Sequence, residues 1–135
     1  HGDRGSNSEV TANHKAFFFD PQTRTAAIPI VAIEDRYAPR DFEDPYSPEF
    51  SGAVIYQVEG ESLTEKARIS HREWTPQHRL HEMSRGSWWQ TEVRSLDINR
   101  VYYVDEQMLS ISRYGLKAHN LNAPEEVLKA VKFAK

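Results

Sequence analysis

The sequence predicts an all-β chain made of antiparallel four-stranded meanders, about two of them, with a short C-terminal helix. Short β-branched or aromatic runs alternate with turn residues along most of the chain, which is typical of antiparallel sheets. The runs form two groups, four runs in residues 14–71 and three runs in residues 95–121. An irregular connection, residues 72–94, separates the groups, and residues 122–134 have the pattern of a helix.

The first group predicts one complete sheet. Its strands are expected at residues 14–19, 25–33, 50–59 and 63–71. Gly60 begins a two-residue turn between the last two strands. Pro29 has no backbone N–H, so we expect it at a sheet edge or a bulge. In the last strand, Leu63, Ala67 and Ile69 are predicted to share one face, with polar side chains on the other.

The second group predicts only three strands, at residues 95–105, 108–112 and 116–120. Gly115 lies in the second turn of this group, where we expect it to supply a positive φ. The missing fourth strand would leave an open sheet edge, and an open edge promotes association. We therefore expect another polypeptide segment to pair with this edge, either the rest of a longer protein or a second copy of the chain.

The C-terminal segment, residues 122–134, has the signals of a helix start. Asn122 is a suitable N-cap, and Glu125 follows three residues later as in a capping box. Pro124 fits the first turn, where its missing N–H has no cost. The predicted apolar stripe consists of Val127, Leu128 and Val131. Because a helix this short is marginal alone, we expect it to pack on the sheets.

The composition limits the class of function. The chain has 135 residues, of which 39% are apolar, and a formal net charge of −3. This balance argues against a nucleic-acid or anionic-membrane partner, since both need clustered Lys and Arg. No apolar run approaches the roughly 18 residues that span a membrane. The absence of cysteine excludes disulfides, thiolate zinc sites and cysteine nucleophiles.

The histidines at the end of the fourth predicted strand and shortly after it are a candidate metal site. His71, His78, His81 and Glu82 offer imidazole and carboxylate ligands, and a metal-dependent hydrolase is the alternative function that they suggest. The spacing of His78 and His81 differs from the spacing in zinc-protease helices, where the two histidines are four residues apart. Neighbouring proline and glycine residues indicate a loop. We therefore favour solvated histidines, with no metal and no cofactor.

Two other candidate sites are weaker, and no catalytic residue is assigned. The acidic residues that could bind calcium are Asp35, Asp41, Glu43 and Asp44. They lack the spacing of an EF-hand, so a solvated acidic loop is favoured. Ser70 and His71 are neighbours, but adjacent side chains on a strand point apart. Ser87 lacks the surrounding glycines of a nucleophile elbow.

Three tryptophans are the best candidates for a ligand or partner surface. These are Trp74, Trp88 and Trp89, all in or beside the irregular connection. Exposed aromatic rings suit a glycan or a protein partner. Adjacent residues on a strand face opposite sides, so we expect only one of Trp88 and Trp89 to be exposed. Packing between sheets is the favoured alternative for these side chains.

Short motifs along nearly the whole chain carry a family resemblance. The most distinctive are His14-Lys15-Ala16-Phe17 and Ile69-Ser70-His71. Further motifs are Ile28-Pro29-Ile30, Phe50-Ser51-Gly52-Ala53, Leu109-Ser110-Ile111-Ser112 and Gly115-Leu116-Lys117-Ala118. Together these segments resemble the secreted bacterial and archaeal β-propeller domain family, which is distantly related to WD-type repeats.

The resemblance implies that the sheets are blades from the C-terminal portion of a β-propeller. Residues 14–71 would form one blade, residues 95–121 three strands of a closing blade, and residues 1–13 a linker within a longer chain. A closed propeller needs at least four blades. The expected partner is therefore the remainder of the propeller, or another chain that completes the closing blade. The resemblance also implies an extracellular or cell-envelope location and a binding or scaffold function without chemistry of its own.

Overall fold

The computed structural model describes Ser8, Val10 and residues 14–32, 50–74 and 98–134. These residues form two antiparallel four-stranded sheets, which confirms the all-β prediction. In each sheet the strands lie side by side in chain order, so both sheets are meanders. Short 3-10 turns occupy His14–Ala16 and Arg72–Trp74. Among the described residues, no helix has the length and apolarity needed to cross a membrane.

The first sheet contains four strands in the order that the sequence predicts, but the strand predicted at residues 14–19 is displaced: His14–Ala16 forms a 3-10 turn, and the first strand begins at Phe18. The four strands are β1 (Phe18–Asp20), β2 (Thr25–Ala32), β3 (Phe50–Glu59) and β4 (Ser62–Ile69). Gly60, at a φ of 59°, begins the two-residue turn between β3 and β4 as predicted. β1 pairs with β2 only over residues 25–27, so Pro29 lies beyond the end of β1. The expectation that this proline sits at an edge is thus confirmed, because its missing N–H interrupts no pairing with β1.

A β-bulge in β4 separates Leu63 from the two apolar residues with which it was predicted to share a face. The pairing of β3 with β4 shifts after Ile55, so that Lys66 is an extra residue in the ladder. Ala67 and Ile69 are buried, whereas Leu63 is 62% exposed. The prediction of a shared face was wrong, because one extra residue reverses the alternation of side chains.

The second sheet is completed by a strand where the sequence predicted a helix. Its strands are β5 (Arg100–Val104), β6 (Gln107–Ser112), β7 (Gly115–Asn120) and β8 (Ala123–Lys132). The helix prediction for residues 122–134 was therefore wrong. Valine is a strong strand former, and the edge of β7 offers a hydrogen-bond ladder that outweighs the marginal stability of a short helix. Asn122 is not an N-cap but lies in the β7–β8 turn, where its N–H donates to Asn120 Oδ1 at 3.0 Å.

β8 also corrects the prediction of an unfinished sheet. The chain itself supplies the fourth strand, so no other polypeptide is needed to add one beside β7. The pairing of β7 with β8 shifts register on both sides of His119, which places bulges in the edge strand. Bulges of this kind twist an edge away from regular pairing with another strand.

The two sheets pack face to face around an apolar core. Its buried members are Ala27, Ala53, Ile55, Ala67, Ile69, Ile98, Val101, Met108 and Leu121. Phe18 and Tyr103 border this core, with ring centroids 6.1 Å apart. The opposite face of the first sheet carries a second cluster, which consists of Ala26, Val54 and Tyr56. An antiparallel sheet with one face in water would alternate apolar and polar residues, so the first sheet is built to be covered on both faces.

The two ends of the sheets differ in their connections. At one end, four hairpin turns of two to four residues join β1 to β2, β3 to β4, β5 to β6 and β7 to β8. At the other end, residues 113–114 form the short turn between β6 and β7, whereas the chain passes from β2 to β3 and from β4 to β5 through long segments, residues 33–49 and 70–99. We call this second end the connection end. His71, just after β4, meets Ser112 at the end of β6 there.

Candidate functional site

A buried cluster of polar side chains lies where the chain leaves β4 and meets the second sheet. His71 follows β4, and its side chain is fully buried. Its Nδ1 lies 2.7 Å from Oγ of Ser112, and its Nε2 lies 2.7 Å from Oγ of Ser110. Both serines belong to β6. One imidazole attached to the first sheet is therefore held by two hydroxyls of the second.

A second imidazole reaches the same serine from β7. Nε2 of His119 lies 2.7 Å from Oγ of Ser110, and its Nδ1 lies 2.8 Å from the carbonyl oxygen of Pro124 in β8. Ser110 and His119 are 0% and 1% exposed. The hydrogen bonds thus run without a break from the end of β4 through β6 and β7 to β8. We call this set, His71, Ser110, Ser112, His119 and the Pro124 carbonyl, the histidine–serine relay.

The Pro124 carbonyl determines which atom donates and which accepts in each hydrogen bond of the relay. A carbonyl oxygen only accepts, so Nδ1 of His119 carries a proton, and Nε2 of the neutral ring accepts the hydroxyl of Ser110. Oγ of Ser110 then accepts Nε2–H of His71, whose Nδ1 accepts the hydroxyl of Ser112. These protons are inferred from the network. In this arrangement each donor has one acceptor, and both imidazoles are neutral.

Burial favours the same neutral state. The pKa of His71 is lowered from 6.5 to about 4, chiefly by burial and further by the positive charge of Lys117. The pKa of His119 is also lowered, again mainly by burial. Both rings are therefore uncharged near pH 7, as the hydrogen-bond pattern requires.

Lys117 of β7 ties the relay to the segment that follows β4. Its ammonium group forms an ion pair with Glu73, donates to the Ser70 carbonyl at 3.0 Å, and lies 5.0 Å from the ring centroid of Trp74. Burial is the largest single effect on Glu73 and acts to raise its pKa, but the hydrogen bond and the positive charge of Lys117, together with a backbone hydrogen bond, outweigh it and the pKa is lowered. The side chain of Lys117 is only 11% exposed, so this ion pair is a second polar link between the sheets.

Trp74 packs between His71 of the relay and β7. Its ring meets His71 edge to face, with centroids 4.8 Å apart. A Cβ at Gly115 would overlap the Trp74 ring and approach the carbonyl oxygen of Val131 to 2.5 Å. Among the described glycines only Gly60 has a positive φ, so the prediction for Gly115 was wrong. Position 115 needs glycine because a ring and a backbone approach it closely.

The relay can hold the sheets together, but it is not accessible to a substrate. A hydroxyl beside an imidazole is the arrangement that activates a nucleophile when a substrate can reach it. Ser110 has no exposed surface, and its hydroxyl already donates to His119 and accepts from His71. The geometry is that of a structural junction between two sheets.

Comparison with known families explains why two such sheets lie side by side. A family model described as a beta propeller domain matches residues 1–123, most of the chain. The chain belongs to this beta propeller domain family. Comparison with curated proteins and with solved structures gave no match. Each four-stranded meander is thus a blade, and the described residues form two adjacent blades with the relay between them. The family match ends at the first residue of β8.

The structure places two of the sequence-predicted site residues at this blade junction. Trp74 is half-buried between the blades, in the packing role that the sequence offered as its alternative. His71 is fully buried, so the prediction of a solvated histidine was wrong at this position. Both of its ring nitrogens are engaged by serine hydroxyls, so His71 could bind a metal only by breaking the relay. The other candidates lie outside the described residues: Asp35, Asp41, Glu43, Asp44, His78, His81, Glu82, Ser87, Trp88 and Trp89. Their proposed roles stay predictions.

Sequence reasoning missed three of the four side chains of the relay, those of Ser110, Ser112 and His119. In β6, Leu109 and Ile111 alternate with Ser110 and Ser112, and the usual interpretation puts the apolar pair in the core. The structure has the reverse, with both serines buried against the first blade. The one available signal was a pair of serines two residues apart, followed in the next strand by His119.

Proposed function

We propose that the chain is a non-catalytic binding and scaffold module of a secreted β-propeller protein. The observation that carries this proposal is an apolar face on the second blade that points away from the first. The buried position of Ser110 and the engaged nitrogens of His71 support a function without chemistry. The secreted location rests on the family resemblance, and fractionation of cells that express the native gene would test it.

The outer face of the second blade includes Tyr102, Leu109, Ile111, Leu116 and Val131, with the charged residues Arg100 and Lys129 beside them. The ladder pairs Tyr102 with Leu109 and pairs Leu116 with both Ile111 and Val131, so these side chains form one patch. Tyr102 and Val131 are 37% and 46% exposed. A contiguous apolar patch on a sheet face is typical of a surface that another protein surface covers.

The occupant that fits this face is a further propeller blade. Blades of a propeller stack face to face, and a closed ring takes at least four of them. The described residues supply two. The first blade, apolar on both faces, illustrates a blade that is covered on each side. We therefore propose the remaining blades of the propeller as the partner of the outer face.

Sedimentation analysis of the purified chain tests this surface. Without its partner, the chain should self-associate as its concentration rises, and a Tyr102→Lys, Val131→Lys double variant should remain monomeric. Ser62→Lys is the control, because Ser62 is exposed at the start of β4 and lies outside both apolar faces. It should associate like the unaltered chain. An unaltered chain that stays monomeric at millimolar concentration would contradict the proposed surface.

The connection end is the proposed ligand surface. Both long connections leave the blades there, and Trp74 lies at the start of the second one. Loops on a rigid scaffold are the usual carriers of binding residues. Trp88 and Trp89 belong to this second connection by sequence, so the three tryptophans are proposed to contact a glycan or a protein partner.

Fluorescence titration with soluble oligosaccharides tests the glycan form of this proposal. A saturable response is expected, and it should be lost in Trp88→Ala or in Trp89→Ala. Tyr102→Lys, on the outer face, is the control and should keep the response. The absence of any response in the unaltered chain would contradict a glycan ligand.

A further inference from the structure

We propose that the histidine–serine relay is an acid-sensitive latch, which holds the two blades together while both imidazoles are neutral and loosens them when either ring gains a second proton. The relay is well placed for this role, since His71 belongs to the end of the first blade. Its partners, Ser110, Ser112 and His119, all belong to the second blade.

Protonation of His119 would reverse the direction of the hydrogen bonds in the relay. A protonated ring donates from both nitrogens, and its Nδ1 already donates to the Pro124 carbonyl. Nε2–H would then donate to Oγ of Ser110, and the Ser110 hydroxyl would turn to Nε2 of His71, which requires the proton of His71 to move to Nδ1. Nδ1–H of His71 would donate to Oγ of Ser112, whose hydroxyl then needs another acceptor.

Protonation of His71 itself has the same result at Ser112. Nδ1–H of His71 would donate to Oγ of Ser112, and the Ser112 hydroxyl would have to turn to another acceptor. The carbonyl oxygen of Gly115 lies 3.5 Å away, at the limit of hydrogen-bond distance. The relay can therefore absorb this proton only through a long bond, and the link between the blades is weakened rather than lost.

The charges around the relay do not offset an added proton. Lys117 of β7 faces both rings, and its positive charge lowers the pKa of each. Glu73, from the 3-10 turn after β4, is the one described carboxylate among the groups that act on His71. That carboxylate is already paired with Lys117. An imidazolium would therefore add to the positive charge of Lys117 at the blade junction.

Hydrogen exchange of the full chain at pH 7 and pH 4.5 tests the latch. Protection factors are used, since they remove the pH dependence of intrinsic exchange. We expect protection of β4 and β8, which meet across the junction, to fall by about tenfold or more. The pairing of β2 with β3 inside the first blade should keep its protection. Equal loss in all strands would indicate global acid unfolding and overturn the proposal, as would no loss.

The NMR resonances of the imidazole rings provide a second measurement, which needs no substitution within the relay. Nitrogen shifts at pH 7 should show His119 protonated on Nδ1 and His71 protonated on Nε2, and the loss of protection in β4 and β8 should follow their titration. His78→Gln is the matched control and should leave this dependence unchanged. Either buried ring titrating near 6.5 with no change in exchange would overturn the latch.

Discussion

His71 and His119 direct their Nε2 atoms at one hydroxyl, that of Ser110, from two different blades, and each nitrogen lies 2.7 Å from it. A hydroxyl has one proton to donate, so the two neutral rings must adopt opposite tautomers. His71 carries its proton on Nε2, and His119 carries its proton on Nδ1. The pairing of blades is thus linked to a specific proton arrangement as well as to apolar packing.

Ser110→Ala should destabilise the chain by about 2–4 kcal/mol, because it leaves polar atoms of two buried imidazoles without a partner. Ser62→Ala, at an exposed position of β4, is the control and should change the free energy of unfolding by less than about 0.5 kcal/mol. Denaturant unfolding measures both. Similar small losses in the two variants would show that the relay contributes little to stability.

The free energy of unfolding should fall as the pH drops from about 6.5 to about 4. In this interval an unfolded imidazole binds a proton and folded His71 does not, so lower pH favours the unfolded state. The difference between 6.5 and about 4 corresponds to roughly 3 kcal/mol at most. Denaturant midpoints measured at several pH values should depend less on pH in His71→Gln than in the unaltered chain. An equally steep dependence in that variant would assign the effect to other groups.

Gly115→Ala should cost about 2–3 kcal/mol, because the added methyl group overlaps the Trp74 ring and a backbone carbonyl. Gly60→Ala is the informative comparison. Position 60 has open space but a positive φ, so strain alone should cost about 1 kcal/mol. Thermal and denaturant unfolding distinguish the two. A larger loss at position 60 would mean that the approach of Trp74 to β7 is looser than the structure shows.

Removal of all residues after Asn122 should abolish cooperative folding of the second blade. The truncation deletes β8, which pairs with β7, and also the Pro124 carbonyl that accepts from His119. Removal of only Ala134 and Lys135 is the control and should leave the unfolding transition unchanged. Amide exchange in β7 is the measurement. Intact protection of β7 in the longer truncation would contradict the assignment of β8 as a strand.

Local signals in the sequence were sufficient for the strands but not for their faces. The Gly60 turn and the flanking alternation predicted β3 and β4, because turn chemistry acts over a few residues. The bulge at Lys66 depends on pairing with another strand, and alternation within β4 alone could not reveal it. The helix prediction for residues 122–134 was wrong for a related reason. The capping signals near Asn122 depend only on neighbouring residues, whereas pairing with β7 depends on a strand that the local sequence does not show.

The candidate site was harder to predict than the fold. His71 and Trp74 were singled out, but for metal binding and ligand binding, because the sequence does not show what faces them. Ser110 and His119 are far from His71 along the chain, and a buried hydroxyl has the same sequence signature as an exposed one. Only the stacking of the two sheets brings these side chains to hydrogen-bond distance.

The bulged pairing of β8 around His119 disfavours one route of polymerisation, the addition of a strand from another chain at the β8 edge. An irregular outer strand is a poor template for the continuous backbone ladder of a fibril. Association through stacked sheet faces, as in a ring or a column of blades, is still possible, because Tyr102 and Val131 on the outer face are exposed. Precipitates of the isolated chain are therefore expected to retain native-like strands and to give little cross-β diffraction or amyloid-dye fluorescence.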